Sequence, residues 1–252
     1  MQEFEGYLRN FQAGTKETPR FWARFPELPD LHDRDVIDFG SGNGHLSLNL
    51  AQAGARSVIG VEVDPGMVNF SACNLREHYP SFVGTIEYRL SDLTEFQENS
   101  IDFIFSKDVL EHVINLDQAF ENLYRILKPG GKFYAGFGPL YYSPFGFHRR
   151  LQGFFKFQKI DPPWLHVILP EPLILGWWNK TKRQNVHSIF DLGLNKVKFA
   201  GYLYAIKKAG FKITWMQING GNRAGKLLFA LFRRIPRLID YFIYNVYIIL
   251  GK

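Results

Sequence analysis

Residues 36–45 read Val-Ile-Asp-Phe-Gly-Ser-Gly-Asn-Gly-His, and no other stretch constrains the chain as much. A short apolar run ends in Gly40, Gly42 and Gly44, and an apolar, helix-like run follows. Glycines at a strand-to-helix turn let the backbone bend sharply and let a ligand approach where a Cβ would clash. A chain built this way presents bare main chain to a ligand at the carboxyl end of its first strand.

The pattern on either side extends that reading. Apolar runs predict strands over 35–40, 57–63, 85–90, 101–106, 132–138, 211–218 and 244–250. Amphipathic runs predict helices over 46–55, 65–80, 117–131, 197–210 and 226–242. Strands that alternate with helices imply an α/β fold, a doubly wound and mostly parallel sheet with ligands at the strands' carboxyl ends. With 252 residues, 46% hydrophobic and 21% charged, the chain is expected to form one globular domain. Phe4, Tyr7, Leu8 and Phe11 recur at helical spacing and mark residues 1–33 as a cap. Residues 34–139 would be the ligand-binding core and 196–252 its completion. Between them, 140–195 breaks the alternation with clustered aromatics and prolines and reads as an insertion, or lid, over the sheet's active edge.

The turn itself narrows the ligand. Dinucleotide sites use G-x-G-x-x-G/A, whose third small residue lets helix and strand pack closely. His45 stands there, and the third glycine comes one residue early, which disfavours a nicotinamide dehydrogenase. Glu62 closes the second strand, where an acid can accept hydrogen bonds from both hydroxyls of a ribose. Asp64 is a nearby rival for that role, and Asp92, after the third strand, is placed to accept from an adenine amino group.

Four stretches, VIDFGSGNG, VIGVEVDPGMV, LSDL and IDFIFSKDVLEHVINLDQAFENLYRILKPGGKFY, together resemble the class I S-adenosylmethionine-dependent methyltransferases of the small-molecule type. The resemblance covers residues 34–138 well and 195–252 loosely. It implies a Rossmann-like, seven-stranded sheet whose last strand, YNVYIIL, inserts antiparallel. It implies S-adenosyl-L-methionine as cofactor, with contacts from Asp38, from Gly40, Ser41, Gly42, Asn43 and Gly44, from Glu62 and the adjoining Val63, and from Asp92 and Leu93. The backbone near Ser106 and Lys107 would lie beside the cofactor. Lys107 departs from the small or apolar residue the family implies, so it is expected to face acceptor or solvent.

The acceptor is less legible. In-line attack on the methyl group of a sulfonium asks mainly for proximity and orientation. A general base helps when the acceptor is a hydroxyl, and histidine suits that task near neutral pH. His112 follows the fourth strand, and His148 and His166 lie in the insertion; these three are the base candidates, ahead of His187. Aromatics such as Trp164, with Arg149 and Arg150 nearby, would give the insertion the walls of an acceptor site for a small molecule, a glycan or a lipid-linked substrate. A net charge of +6 is compatible with RNA, but no added RNA-binding module or basic stripe is visible, so a nucleic-acid acceptor is disfavoured. A non-catalytic scaffold that binds the cofactor is a further alternative, disfavoured by the intact turn and acids. Cys73 is the single cysteine and the histidines are scattered, so no metal site is expected. No signal peptide or membrane span is read, which suggests a cytoplasmic protein. The basic, amphipathic 226–242 segment allows a peripheral membrane contact, although packing on the sheet is preferred. The sequence assigns no oligomeric state.

Overall fold

The computed structural model describes residues 2–91, 93–148, 150–151, 153–154, 162–220, 223–232, 235 and 238–252. Strands β1 (Asp35–Phe39), β2 (Ser57–Glu62), β3 (Ile86–Leu90), β4 (Ile101–Lys107), β5 (Leu127–Phe137), β6 (Lys212–Ile218) and β7 (Val246–Gly251) form one sheet in the order β3-β2-β1-β4-β5-β7-β6. The first five are parallel, and β7 runs antiparallel between β5 and β6. This is the expected Rossmann-like sheet with an antiparallel last strand.

Both faces of the sheet's centre are covered because its central strands are apolar on both sides. Val36 and Ile37 are each fully buried, yet adjacent strand residues point to opposite faces. Val36 joins Leu46, Leu50 and Phe70 from α2 (His45–Gln52) and α3 (Pro65–His78). Ile37 joins Phe120, Leu123 and Tyr202 from α4 (Leu116–Ile126) and α7 (Phe199–Ala209). The capping segment is the helix α1 (Gln2–Trp22), which adds Phe11 and Phe21 to the first core.

Two expectations are corrected. The helix predicted over 117–131 stops at Ile126, and Leu127 already pairs with Ile101 as the first residue of β5. Pro129 disfavours helical backbone at the residue before it and supplies no N–H. The helix predicted over 226–242 is broken: α8 spans Arg223–Phe232, and a separate 3₁₀ turn spans Ile239–Phe242. Pro236 in the intervening sequence is incompatible with a continuous helix. Phe229 and Ile239 pack against the core, and the Phe232 ring stacks on Phe242 at 4.4 Å within the segment, but Leu227 and Leu231 stay 64% and 63% exposed, so the segment packs on the body with only part of its apolar surface. Among the described residues no helix is long and apolar enough to cross a membrane.

The insertion holds α5 (Leu165–Ile168) and α6 (Glu171–Lys182) around a small core of its own, including Tyr141, Phe147, Leu165, Ile174, Ile189 and Leu194. The ion pair of Lys196 with Glu171, at 2.7 Å, ties its far end back to α6.

Candidate active site

Strand order reverses between β1 and β4, and a crevice forms where the loops leaving these strands part in opposite directions. A cleft of ≈ 660 Å³ lies there. Its walls are the turn after β1, the end of β2, Ser91 and Leu93 after β3, and the loop from Lys107 into α4. The size suits a small-molecule site.

The glycine turn has backbone that only glycine adopts easily: φ is +74° at Gly40, +51° at Gly42 and +82° at Gly44. The three differ in their surroundings. A Cβ at Gly40 would come within 2.3 Å of Val109, and one at Gly44 within 2.3 Å of the Tyr88 hydroxyl. At Gly42 a Cβ would meet nothing within 4 Å, because the space before it is the cleft. Gly42 donates its N–H to Glu62 Oε2 at 2.9 Å, and Glu62 Oε1 accepts from the N–H of Val63 at 2.7 Å and of Asp64 at 3.1 Å. The turn and the second strand are thus clasped by one carboxylate that also borders the cleft. A carboxylate has about four lone-pair sites, so capacity remains for a ligand hydroxyl. Asp64 is otherwise engaged, capping α3 through the N–H groups of Gly66 and Met67.

Asp38 is buried behind the turn rather than in the cleft. It accepts from Ser47 Oγ at 2.6 Å, and burial, reinforced by the charge of Glu62, raises its pKa to about 7. Its place is under the turn, holding α2 to β1. Ser41, Asn43 and His45 line the cleft, and Ser41 Oγ, Asn43 Oδ1 and His45 Nε2 are buried without a protein partner. Burial lowers the His45 pKa to about 4, with help from the Lys107 charge, so the ring is neutral near pH 7. Gly14 of α1 packs against this ring so closely that a Cβ there would lie 2.6 Å from it. Unpartnered buried polar atoms are costly in a folded chain, and three of them around one turn fit a polar ligand. Val63, 74% exposed, and Ile114, 54% exposed, supply apolar wall at the mouth. Leu93 is fully buried and still borders the cleft. Asp92 lies outside the described residues.

Lys107 does border the cleft. Burial opposes its charge, but Asp108, to which it hydrogen-bonds, and Glu17 of α1, at 3.7 Å, together hold its pKa above the ordinary value. Lys107 therefore stays charged, and its two carboxylate partners offset part of its field at the cleft.

The three histidines separate. His112 borders the cleft, with Nδ1 on the Gly193 carbonyl at 2.5 Å. Burial lowers its pKa, partly offset by that carbonyl. The His148 ring sits 5.0 Å from it, held by the backbone of Pro139, and burial brings its pKa to about 4. His166 sits away from the cleft, in the insertion: Nε2 bonds the Tyr141 carbonyl at 2.5 Å, and the ring stacks on Phe147. Trp164 is likewise occupied, donating Nε1–H to Tyr241 and packing edge-on to Phe242. Among the described residues, none from 140–195 lines the cleft, and Tyr141 and Phe147 of the insertion pack into a core of its own. Among the described residues, the insertion reaches the cleft's edge indirectly, where His148 meets His112, where the Gly193 carbonyl bonds His112 and where Asn195 bonds the Val113 carbonyl.

Sequence reasoning missed Glu111. It is 2% exposed, Oε1 accepts the Gly138 N–H at 2.9 Å, and burial with the nearby Asp108 charge raises its pKa to about 8. The available signal was an acid flanked by apolar residues in Val-Leu-Glu-His-Val, just past a buried strand. Asp108, with φ +58°, and Asn122 also border the cleft and were not singled out.

Comparison with known proteins adds the following. Residues 37–135 match the family model described as a methyltransferase domain. The biotin biosynthesis bifunctional protein BioHC of Cellvibrio japonicus (strain Ueda107) is 35% identical over 108 residues, which are 42% of this chain and 20% of that protein. Phosphoethanolamine N-methyltransferase 2 of Caenorhabditis elegans is 29% identical over 122 residues, 48% of this chain and 27% of that protein. The chain thus spans about a quarter or less of these relatives' length. The crystal structure of an S-adenosylmethionine-dependent methyltransferase from Mesorhizobium loti shares the fold, with a TM-score of 0.57 and 18% identity over 94% of this chain and 97% of the other.

Proposed function

We propose, from the premise that the chain belongs through residues 37–135 to the methyltransferase family and has the class I fold, that it transfers the methyl group of S-adenosylmethionine to a small-molecule acceptor. The observation that carries this reading is the clasp of Gly42 N–H by Glu62, beside the unpartnered Ser41, Asn43 and His45 atoms. Glu62 would take the ribose hydroxyls, Val63 and Leu93 the adenine, and the turn with His45 the amino-acid end. Asp38 acts through the turn and is a positioning residue.

The transfer needs an acceptor lone pair in line with the methyl carbon. The new bond forms to carbon, the carbon–sulfur bond breaks, and its electron pair stays on sulfur, leaving S-adenosylhomocysteine. A protonated acceptor also gives up its proton. The end of the cleft formed by Asp108 and His112, with Glu111 and His148 behind, carries the groups suited to that task. A small-molecule acceptor accords with the names of the relatives, one of which is a phosphoethanolamine methyltransferase.

Calorimetric titration with S-adenosylhomocysteine tests the reading, with NAD as control. Micromolar binding to the wild type is expected, no heat from NAD, and at least tenfold weaker binding by Glu62→Ala. Absence of binding to the wild type overturns the proposal.

A further inference from the structure

We infer that Glu111, His112 and His148 form a binding site for a divalent transition-metal ion of the zinc class, beside the cleft and independent of whether the cleft binds the proposed cofactor. One ligand atom from each of the three side chains lies within 4.8 Å of the other two. The histidines looked scattered along the sequence, but the fold brings a β4–α4 loop residue and an insertion residue to 5.0 Å between ring centroids.

Each ring is already oriented as a metal-bound imidazole usually is. His112 has Nδ1 on the Gly193 carbonyl, and His148 is hydrogen-bonded to the backbone of Pro139. A ring nitrogen that donates to a carbonyl fixes the tautomer and leaves the other nitrogen with a free lone pair. His148 Nε2 is buried with no protein partner, and so is Glu111 Oε2, whose companion Oε1 is held by Gly138 N–H. Two buried unpartnered acceptors, pointed at a third ligand group, are costly unless something joins them. A water or the Glu111 proton could join two of these groups, whereas a cation would join all three at once.

The donor set selects the ion. Two imidazole nitrogens and one carboxylate oxygen are the ligands of catalytic zinc sites, whereas magnesium and calcium prefer oxygen throughout. The ligand atoms would close to roughly 3.4 Å apart around a tetrahedral ion, a small rotation of the rings. Three protein ligands leave a fourth position. His112 and Asp108 both border the cleft, so that position adjoins it and suits an acceptor oxygen or water. The same ion would fasten the insertion, through His148, to the loop that carries Glu111 and His112.

The test uses the full-length protein, stripped with chelator and titrated with Zn²⁺ against a chromogenic competitor, and with Co²⁺ by visible absorption. One equivalent per chain and the intense visible bands of four-coordinate Co²⁺ are expected. His148→Ala should weaken binding by more than about 100-fold, beyond the 10–100-fold usual for losing an outer partner. His148→Cys should keep the ion and add a thiolate-to-cobalt charge-transfer band that the wild type lacks, which guards against a variant that merely misfolds. Substoichiometric uptake by the wild type, or uptake unchanged in both variants with no new band, overturns the site. A parallel S-adenosylhomocysteine titration separates the two readings: cofactor binding without metal uptake removes only the ion, and metal uptake without cofactor binding removes only the methyl-transfer reading.

Discussion

Gly40 and Gly42 share a left-handed backbone, yet they answer to different constraints. An alanine at Gly40 faces both the strained φ and a 2.3 Å clash with Val109, together about 2–4 kcal/mol of destabilisation. At Gly42 only the backbone strain applies, about 1 kcal/mol, because the new methyl group projects into the cleft. Gly42→Ala should therefore lower Tm by only roughly 2–4 °C and still weaken S-adenosylhomocysteine binding at least tenfold. Gly40→Ala should lower Tm by more than Gly42→Ala does. Thermal melts beside calorimetry check the pair; equal Tm losses would show that Gly42 faces protein rather than ligand. Asp38 gives a second test at this scale. Its ordinary pKa is 3.8 and its folded value about 7, so between these the folded chain holds a proton that the unfolded chain has lost. Its contribution to stability is complete below about pH 4, falls as pH rises toward 7, and is flat above. Asp38→Asn should flatten the pH dependence of Tm over that window, a change that melts in matched buffers would reveal.

At the scale of elements, the loop from β4 into α4 is shaped by a residue far along the chain. Asn195 donates to the carbonyls of Leu110 and Val113 and accepts from the Tyr202 hydroxyl and the Val197 N–H. Its own N–H bonds the Glu111 carbonyl. Asn195→Ala would leave several buried groups unpaired at a cost of about 3 kcal/mol, a Tm loss of roughly 6–12 °C. It should reduce turnover more than cofactor affinity, because the turn after β1 does not rest on Asn195; an equal loss in both would refute that division. This junction also explains what the sequence could and could not tell. The strands of the sheet were legible because burial on both faces leaves near-continuous apolar runs, as in Asp35–Phe39 and Ile101–Lys107. The placement of the glycine turn and of Glu62 was legible because it depends on local backbone and strand ends. The start of β5 was not, since Leu127 has helical amphipathicity and only its pairing with Ile101 makes it a strand. Nor could the meeting of Glu111, His112 and His148 be read, because it depends on how the insertion folds back, and no local pattern encodes that. The insertion's aromatics are ambiguous for the same reason: their composition suits a substrate wall and a small core equally.

Over the whole molecule, the cleft is a place where distant parts of the chain are held together. The turn after β1, the end of β2 and the loop into α4 form its walls. The helix α1 reaches it from outside, through Gly14 against the His45 ring and Glu17 against Lys107, and Trp22 Nε1 donates to Asn49 of α2 at 2.6 Å. A ligand that fills the cleft binds only the arrangement in which all of these are in place. At a hundredfold excess over its Kd such a ligand stabilises the native state by about 2.7 kcal/mol. For a domain of this length that is a rise in Tm of roughly 5–11 °C. The gain should not be confined to the walls. Because Gly14 and His45 touch, fixing the His45 ring should also slow the local opening of α1, a helix otherwise exposed along much of its length. Hydrogen exchange with and without S-adenosylhomocysteine would then show added protection both in residues 40–62 and in the middle of α1. Protection confined to the turn and β2 would mean that α1 opens independently of the site, and that its contact with His45 is packing without coupling.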